Sequence, residues 1–276
     1  TLPTEVILVA PFFPEYTVFV QNAGAKSVIL PPDTEHFQIS LDAMEKAITP
    51  HTRAVIVNSP NNPSGVVYSA DTYEKLAALL ERKSKEIGHP IYLISDEPYR
   101  EIIYDGLPIL YVPKFYRDTI VCYSYSKSLS LPGERIGYIL VPDCVTGSKE
   151  VYTAVCGAGR FMGFVCAPHL FQDVILKCMG QTSDVNVYDQ NRKLLYNGLK
   201  EMGYDCVYPS GAFYLFVKSP EPDAKAFSDK AKKLNLLIVP ADSFGCPGYV
   251  RISYCVDPDM IRRSFAAFEK LMAQYK

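Results

Sequence analysis

The sequence predicts an α/β fold: a large three-layer domain on a mostly parallel sheet with helices over its faces, then a smaller C-terminal α+β domain. Three observations carry this expectation. Over the first two thirds, short β-branched runs alternate with amphipathic helical stretches, the pattern of parallel strands joined by crossover helices. Polar clusters rich in turn formers follow three of those runs, where open parallel sheets place their binding loops. Beyond residue 183 the regular alternation gives way to pairs of strands separated by single helices.

In chain order, Glu5–Ala10, Ser27–Leu30, Ala54–Asn58, Ile91–Asp96 and Thr119–Ser124 read as strands, because they are short, apolar and β-branched. The clearest helix starts at an N-cap on Ser69, carries Leu76, Leu79 and Leu80 on one face and stops at Gly88. Its acids come early and its lysines late, as the helix dipole prefers. After a strand at Arg135–Val141 the pattern turns helical. Ser183 or Asp184 caps a long helix to Met202, which Gly203 ends, and this helix bridges the two expected domains, 1–183 and 184–276. The second domain reads as strands Cys206–Tyr208 and Phe213–Val217, helix Asp223–Leu234, strands Leu236–Val239 and Tyr249–Tyr254, and helix Asp257–Tyr275 with Pro258 in its first turn. No internal repeat, low-complexity tract or flexible linker interrupts this order.

Composition excludes several classes of function. With 48% hydrophobic residues in 276, the chain can bury a large core. A net charge of -2 and the lack of a basic block give no electrostatic footprint for nucleic acid or anionic membrane. No apolar run reaches membrane-spanning length, and the opening Thr1-Leu-Pro-Thr-Glu5 lacks the basic start of a signal peptide. The eight cysteines are scattered without a CxxC pair, as reduced thiols of a cytoplasmic protein would be. The four histidines (36, 51, 89 and 169) fall in no motif.

Chemistry concentrates at three strand ends. Ala54–Asn58 runs into Asn58-Ser-Pro-Asn-Asn62-Pro-Ser-Gly65, Ile91–Ser95 into Asp96-Glu-Pro-Tyr99, and Thr119–Tyr123 into Ser124-Tyr-Ser-Lys127-Ser-Leu-Ser-Leu-Pro-Gly-Glu-Arg135. A lysine among small hydroxyl residues at the end of a buried strand is partly desolvated, so its pKa falls and it can condense with an aldehyde. Each cluster taken singly has a plainer reading. Asn-Pro and Ser-Gly form turns, Asp96 caps the next element, Tyr99 packs, and Arg135 is a surface charge. Their co-occurrence at successive strand ends favours a site.

These segments resemble the motifs of fold-type I, pyridoxal-phosphate-dependent aminotransferases of the aspartate aminotransferase superfamily (class I/II). The resemblance covers the whole chain, and the Lys127 segment matches the lysine-attachment motif at every constrained position. It implies the pyridoxal-phosphate transferase fold, pyridoxal 5'-phosphate as cofactor, and transfer of an amino group between an L-amino acid and a 2-oxo acid. By similarity, Lys127 is the Schiff-base lysine and moves a proton at the substrate α-carbon. Asp96 pairs with the ring nitrogen, while Tyr99 and Asn62 hold the phenolic oxygen. Ser124 and Arg135 bind the phosphate, where a guanidinium fork suits the oxygens. Arg251, the single charge in Tyr249-Val-Arg-Ile-Ser-Tyr254, clamps the substrate α-carboxylate, with an exposed edge arginine as its plainer reading. Phe13 stacks on the cofactor ring or packs in the core. Arg160 either reaches a partner subunit's site to bind a side-chain carboxylate or is a surface charge. A homodimer is implied, and the donor is dicarboxylic, aromatic or alanine-like.

The chain also departs from the family pattern. The resemblance implies an N-terminal part, including a glycine-rich turn whose helix amides bind the phosphate, ahead of the segment that opens this sequence. Gly157 and Gly159 follow the lysine and cannot take that place. The expectation is therefore a fragment or a truncated product that binds the cofactor weakly. Two other functions share these motifs: a carbon–sulfur β-lyase, and the aminotransferase-like sensor domain of a transcription regulator.

Overall fold

The computed structural model describes residues 4–275; the outermost positions of the two expected domains, 1–3 and 276, lie outside them. Ten strands and nine α-helices follow in chain order among the described residues. The first sheet contains β1 (Glu5–Val9), β2 (Lys26–Leu30), β3 (Thr52–Asn58), β4 (Tyr92–Asp96), β5 (Thr119–Ser124) and β6 (Gly137–Leu140), in the order β2-β1-β3-β4-β5-β6. All pairings are parallel except β5 with β6, which is antiparallel.

Strand alternation sends β1 side chains to both faces, and this is what makes the unit three-layered. Ile7 and Val9 pack with Met44 of α2 (Leu41–Ala47) and Leu76, Leu79 and Leu80 of α3 (Ala70–Ile87). Leu8 points the other way, to Tyr16 and Val20 of α1 (Glu15–Asn22). The Ser69 cap is present, its side chain accepting from the Thr72 amide, and Gly88 ends α3 at φ 79°.

The short helix α4 (Tyr125–Ser128) lies between β5 and β6, and past β6 come α5 (Ser148–Phe161), α6 (His169–Lys177) and α7 (Val185–Glu201). Of the two candidate caps for α7, Asp184 is the one used, its side chain accepting from the Asn186 amide. The second sheet, in order β7-β8-β10-β9, is antiparallel: β7 (Asp205–Val207), β8 (Tyr214–Lys218), β9 (Val239–Pro240) and β10 (Tyr249–Ser253). Its core joins Leu195 and Leu199 of α7, Phe227 of α8 (Ala224–Lys232) and Phe268 and Leu271 of α9 (Pro258–Met272) to Tyr99, Ile102 and Tyr104 from the segment after β4. The chain from β4 thus enters the core of the second sheet.

Two expected strands differ from the structure by more than a terminal residue. In 236–239, Leu236 and Ile238 are buried while Leu237 is 83% exposed, so the alternation is real. The Leu236 amide is nevertheless taken by the Ala231 carbonyl at 3.0 Å, the last turn of α8, leaving only Val239 and Pro240 to pair with β10. At 135–141 the ladder starts at Gly137, because Arg135 sits at φ 52°, outside the β region.

Candidate active site

Parallel register brings the first two clusters side by side. Asn58 pairs with Asp96 across β3 and β4, and Asp96 with Cys122 across β4 and β5. The Asn58 amide donates to the Asp96 carbonyl at 2.8 Å, while its side-chain oxygen accepts from the Asn62 backbone amide at 2.8 Å. Asn58 therefore fixes the Asn62 loop to the end of β4.

The Asp96 carboxylate accepts a hydrogen bond from the Tyr16 hydroxyl at the start of α1. Burial pushes its pKa up to about 6 against the pull of that bond, and the neighbouring Glu97 charge adds to the rise. Glu97 itself is tied to Ser95 at 2.7 Å and to Arg100. Among the described residues, no ion pair joins a cation to Asp96. Phe13 meets the Tyr16 ring edge-on, with centroids 5.7 Å apart.

Lys127 is half-buried in the short helix α4. Its amine lies 5.6 Å from the Phe213 ring centroid and 6.0 Å from that of Tyr99. Burial holds it below the ordinary lysine range, and the positive charges of Arg135 and Arg251 push the same way. A neutral amine is the nucleophilic form.

From the second sheet, β10 delivers Arg251. Its guanidinium donates to the Asn62 side-chain oxygen at 2.8 Å and lies 4.5 Å from the centroid of Tyr214 and 5.0 Å from that of Phe244. Tyr214, the first residue of β8, closes the ring of contacts: its hydroxyl is 3.0 Å from that of Tyr99.

Six of the residues singled out from sequence (Phe13, Asn62, Asp96, Tyr99, Lys127 and Arg251) thus belong to one set of contacts. Ser124 and Arg135 sit at its margin. The Ser124 hydroxyl caps α4, accepting from the Ser126 amide at 3.2 Å and donating to the Ser126 hydroxyl at 2.8 Å. Arg135 is exposed and gives one nitrogen to the Pro132 carbonyl at 2.8 Å, leaving its other donors to solvent. Arg160 is exposed in the last turn of α5.

Sequence reasoning missed Asn58 as a brace, Tyr16 and Tyr214. Tyr16 lies three residues after Phe13 in the same aromatic segment, and Tyr214 follows Gly211-Ala-Phe213 at the start of a strand. In a chain of 20 tyrosines neither position marks itself.

A lysine depressed by burial and a buried acid without a cationic partner, both at strand ends of the first sheet, meet an arginine fork from the middle of β10, an arrangement suited to a lysine-centred active site on an α/β scaffold. Residues 3–268 match the family "Aminotransferase class I and II". An aminotransferase of known structure from Eubacterium rectale is 62% identical, with a TM-score of 0.97, over 99% of this chain and 69% of that one. Aromatic-amino-acid aminotransferase 2 of Thermococcus litoralis and the aspartate aminotransferase of Pyrococcus abyssi are each 31% identical, over 99% of this chain and 71% of theirs. The chain belongs to the class I and II aminotransferases, enzymes that depend on pyridoxal phosphate.

The residues present fit that cofactor. A buried carboxylate whose ionisation is penalised by burial would be matched by a protonated ring nitrogen, and a lysine whose pKa is lowered by burial suits an aldehyde. Arg135, with one nitrogen on the Pro132 carbonyl, keeps donors of the kind a phosphate would need.

Proposed function

We propose that Lys127, Asp96, Tyr99, Asn62 and Arg251 form the catalytic and binding set of this aminotransferase, with Ser124, Arg135 and Phe13 completing the cofactor's surroundings. Pyridoxal phosphate, when bound, supplies an electron sink for the charge left on the substrate α-carbon. Lys127 Nζ takes the proton from that carbon and returns it as acid. The Asp96 carboxylate holds a proton on the ring nitrogen, and Tyr99 and Asn62 donate toward the phenolic oxygen. Arg251 receives the α-carboxylate of the amino acid and fixes the bond to be broken. The observation that carries this reading is Lys127 itself: an amine kept below its ordinary pKa by burial, 6.0 Å from the ring of Tyr99 and under the influence of Arg251.

The same reading treats 1–183 as the cofactor domain and 184–276 as the second domain. The separate antiparallel sheet with helices α7 to α9 supports that division. A homodimer is part of the proposal. Helix α5 buries no residue, and Phe161, Met162, Phe164, Val165, Leu176 and Met179 are each at least 65% exposed. Apolar residues exposed to this extent support an interface there. A second copy of the chain is the occupant the family favours.

Among the described residues no helix is long and apolar enough to cross a membrane. All eight cysteines are free thiols, which suits a reducing compartment such as the cytoplasm. The activity is tested by offering the cofactor-loaded, full-length gene product a panel of amino acids with a 2-oxo acid acceptor. The expected result is the 2-oxo acid of one donor, absent with K127A. Equal yield from K127A overturns the assignment of Lys127.

A further inference from the structure

Tyr214 touches two residues to which different tasks fall. Its hydroxyl is 3.0 Å from that of Tyr99, and its ring lies 4.5 Å from the Arg251 guanidinium carbon. Both tyrosines are buried, at 8% and 4% exposure, and their rings meet edge-on at 5.8 Å and 79°. The position is rigid: the following strand pairs residue by residue with β10 through Ser253, and the Tyr254 amide donates to the Phe213 carbonyl at 3.0 Å.

A phenol has one proton to donate. If Tyr99 gives its proton to Tyr214, it has none left for the site. If Tyr214 is the donor, the Tyr99 oxygen is satisfied from behind and its proton is free to point at a ligand. Among the described residues, Tyr99 is the one hydrogen-bond partner of the Tyr214 hydroxyl, so nothing competes for that donor. Burial raises the pKa of both phenols, so both keep their protons at neutral pH. Linked donors also polarise one another, which makes the outer one stronger.

We propose that Tyr214 is a positioning residue for amino-group transfer: its hydroxyl donates to Tyr99 and turns the Tyr99 proton toward the cofactor's phenolic oxygen, while its ring seats the Arg251 guanidinium. This rests on the roles given above to Tyr99 and Arg251. The hydroxyl and the ring are separable. Phenylalanine at 214 keeps the face under Arg251 and removes the donor, whereas leucine removes both.

The test uses the full-length gene product loaded with pyridoxal phosphate, as wild type, Y214F, Y214L, Y99F and Y99F/Y214F. The readouts are the pH midpoint of the bound cofactor's visible-edge absorbance and the KM for the amino acid. A weaker donor stabilises the ionised phenolic oxygen less, so the protonated form persists to higher pH. Y214F is expected to raise the midpoint by about one pH unit, with KM held within about twofold. Y99F raises it further, and the double variant matches Y99F, because Tyr214 acts through Tyr99. Y214L raises the midpoint and also raises KM about tenfold, through a loosened Arg251. A midpoint that moves in Y99F but not in Y214F overturns the inference and leaves the reading of Tyr99 standing. Additive shifts in the double variant overturn it as well. A midpoint unmoved even by Y99F overturns both.

Discussion

Arg251 and Asn62, 189 positions apart in the sequence, are joined by a hydrogen bond of 2.8 Å from the guanidinium to the side-chain amide oxygen. One comes from β10 of the antiparallel sheet, the other from the loop after β3 of the parallel sheet. The bond uses one nitrogen of the fork, and the remaining donors are those proposed above to receive a carboxylate.

Removing the fork should therefore damage substrate capture more than the fold. R251Q is expected to lower kcat/KM for the amino acid by about a hundredfold or more, with R251K recovering only part, because an ammonium keeps the charge without the bidentate geometry. Single-turnover kinetics over a range of amino acid concentrations measure this, alongside melting temperature. Wild-type kcat/KM in R251Q would remove the arginine from the substrate site.

Asp96 makes the cofactor-free protein sensitive to pH. Its folded-state pKa is raised from 3.8 to about 6, so between those values the native state holds more protons than the unfolded one. Stability contributed by the protonated acid is therefore present below pH 3.8 and lost as pH rises through about 6. The ionised form at pH 7 costs on the order of 3 kcal/mol. D96N without cofactor, its amide oxygen still able to accept from Tyr16, should thus be more stable than wild type at pH 7 by about that amount, and the gap should close near pH 4. The same variant should lose cofactor affinity. Urea denaturation at the two pH values decides it; a gap independent of pH contradicts the burial argument.

Gly65 links the Asn62 loop to the second sheet. Its φ is +72°, and a Cβ there would lie 2.6 Å from the Tyr214 carbonyl oxygen and 2.7 Å from Pro209 Cβ. Its own carbonyl accepts from the amides of Ser210 and Gly211, both at 2.8 Å. G65A combines left-handed strain with a backbone clash and is expected to destabilise the fold by about 2 kcal/mol or more. Chemical denaturation with an unchanged midpoint would show that the loop is not held this way.

The apolar face of α5 and α6 should govern assembly. Charge placed at Phe161, which is 93% exposed, is expected to shift the full-length protein from dimer to monomer without lowering its melting temperature in the monomeric state. Sedimentation equilibrium of F161D against wild type measures it. A dimer of undiminished strength would place the interface elsewhere.

Much of this architecture was legible because the signals were local. Lys127, Asp96 and Asn62 stand at the ends of β-branched runs, and parallel register then obliges those ends to lie together. Asp184, Asp223 and Asp257 cap helices as their places in the sequence suggest. What stayed hidden depends on distant contacts. Tyr16 matters through Asp96, 80 positions away, and Tyr214 through Tyr99, 115 away. Leu236 and Ile238 carry a strand pattern, but an α8 carbonyl claims the Leu236 amide, and no periodicity records that competition. Arg135 falls within an expected strand, and only its positive φ takes it out.

Lys127 is proposed to be the lysine that holds the cofactor. Incubation of the full-length gene product with pyridoxal phosphate, borohydride reduction, proteolysis and mass mapping test it at the level of one atom. The expected result is a pyridoxyl group on the peptide bearing Lys127 and none on K127A. A stoichiometric label on another lysine, or one retained in K127A, would place the cofactor's attachment elsewhere.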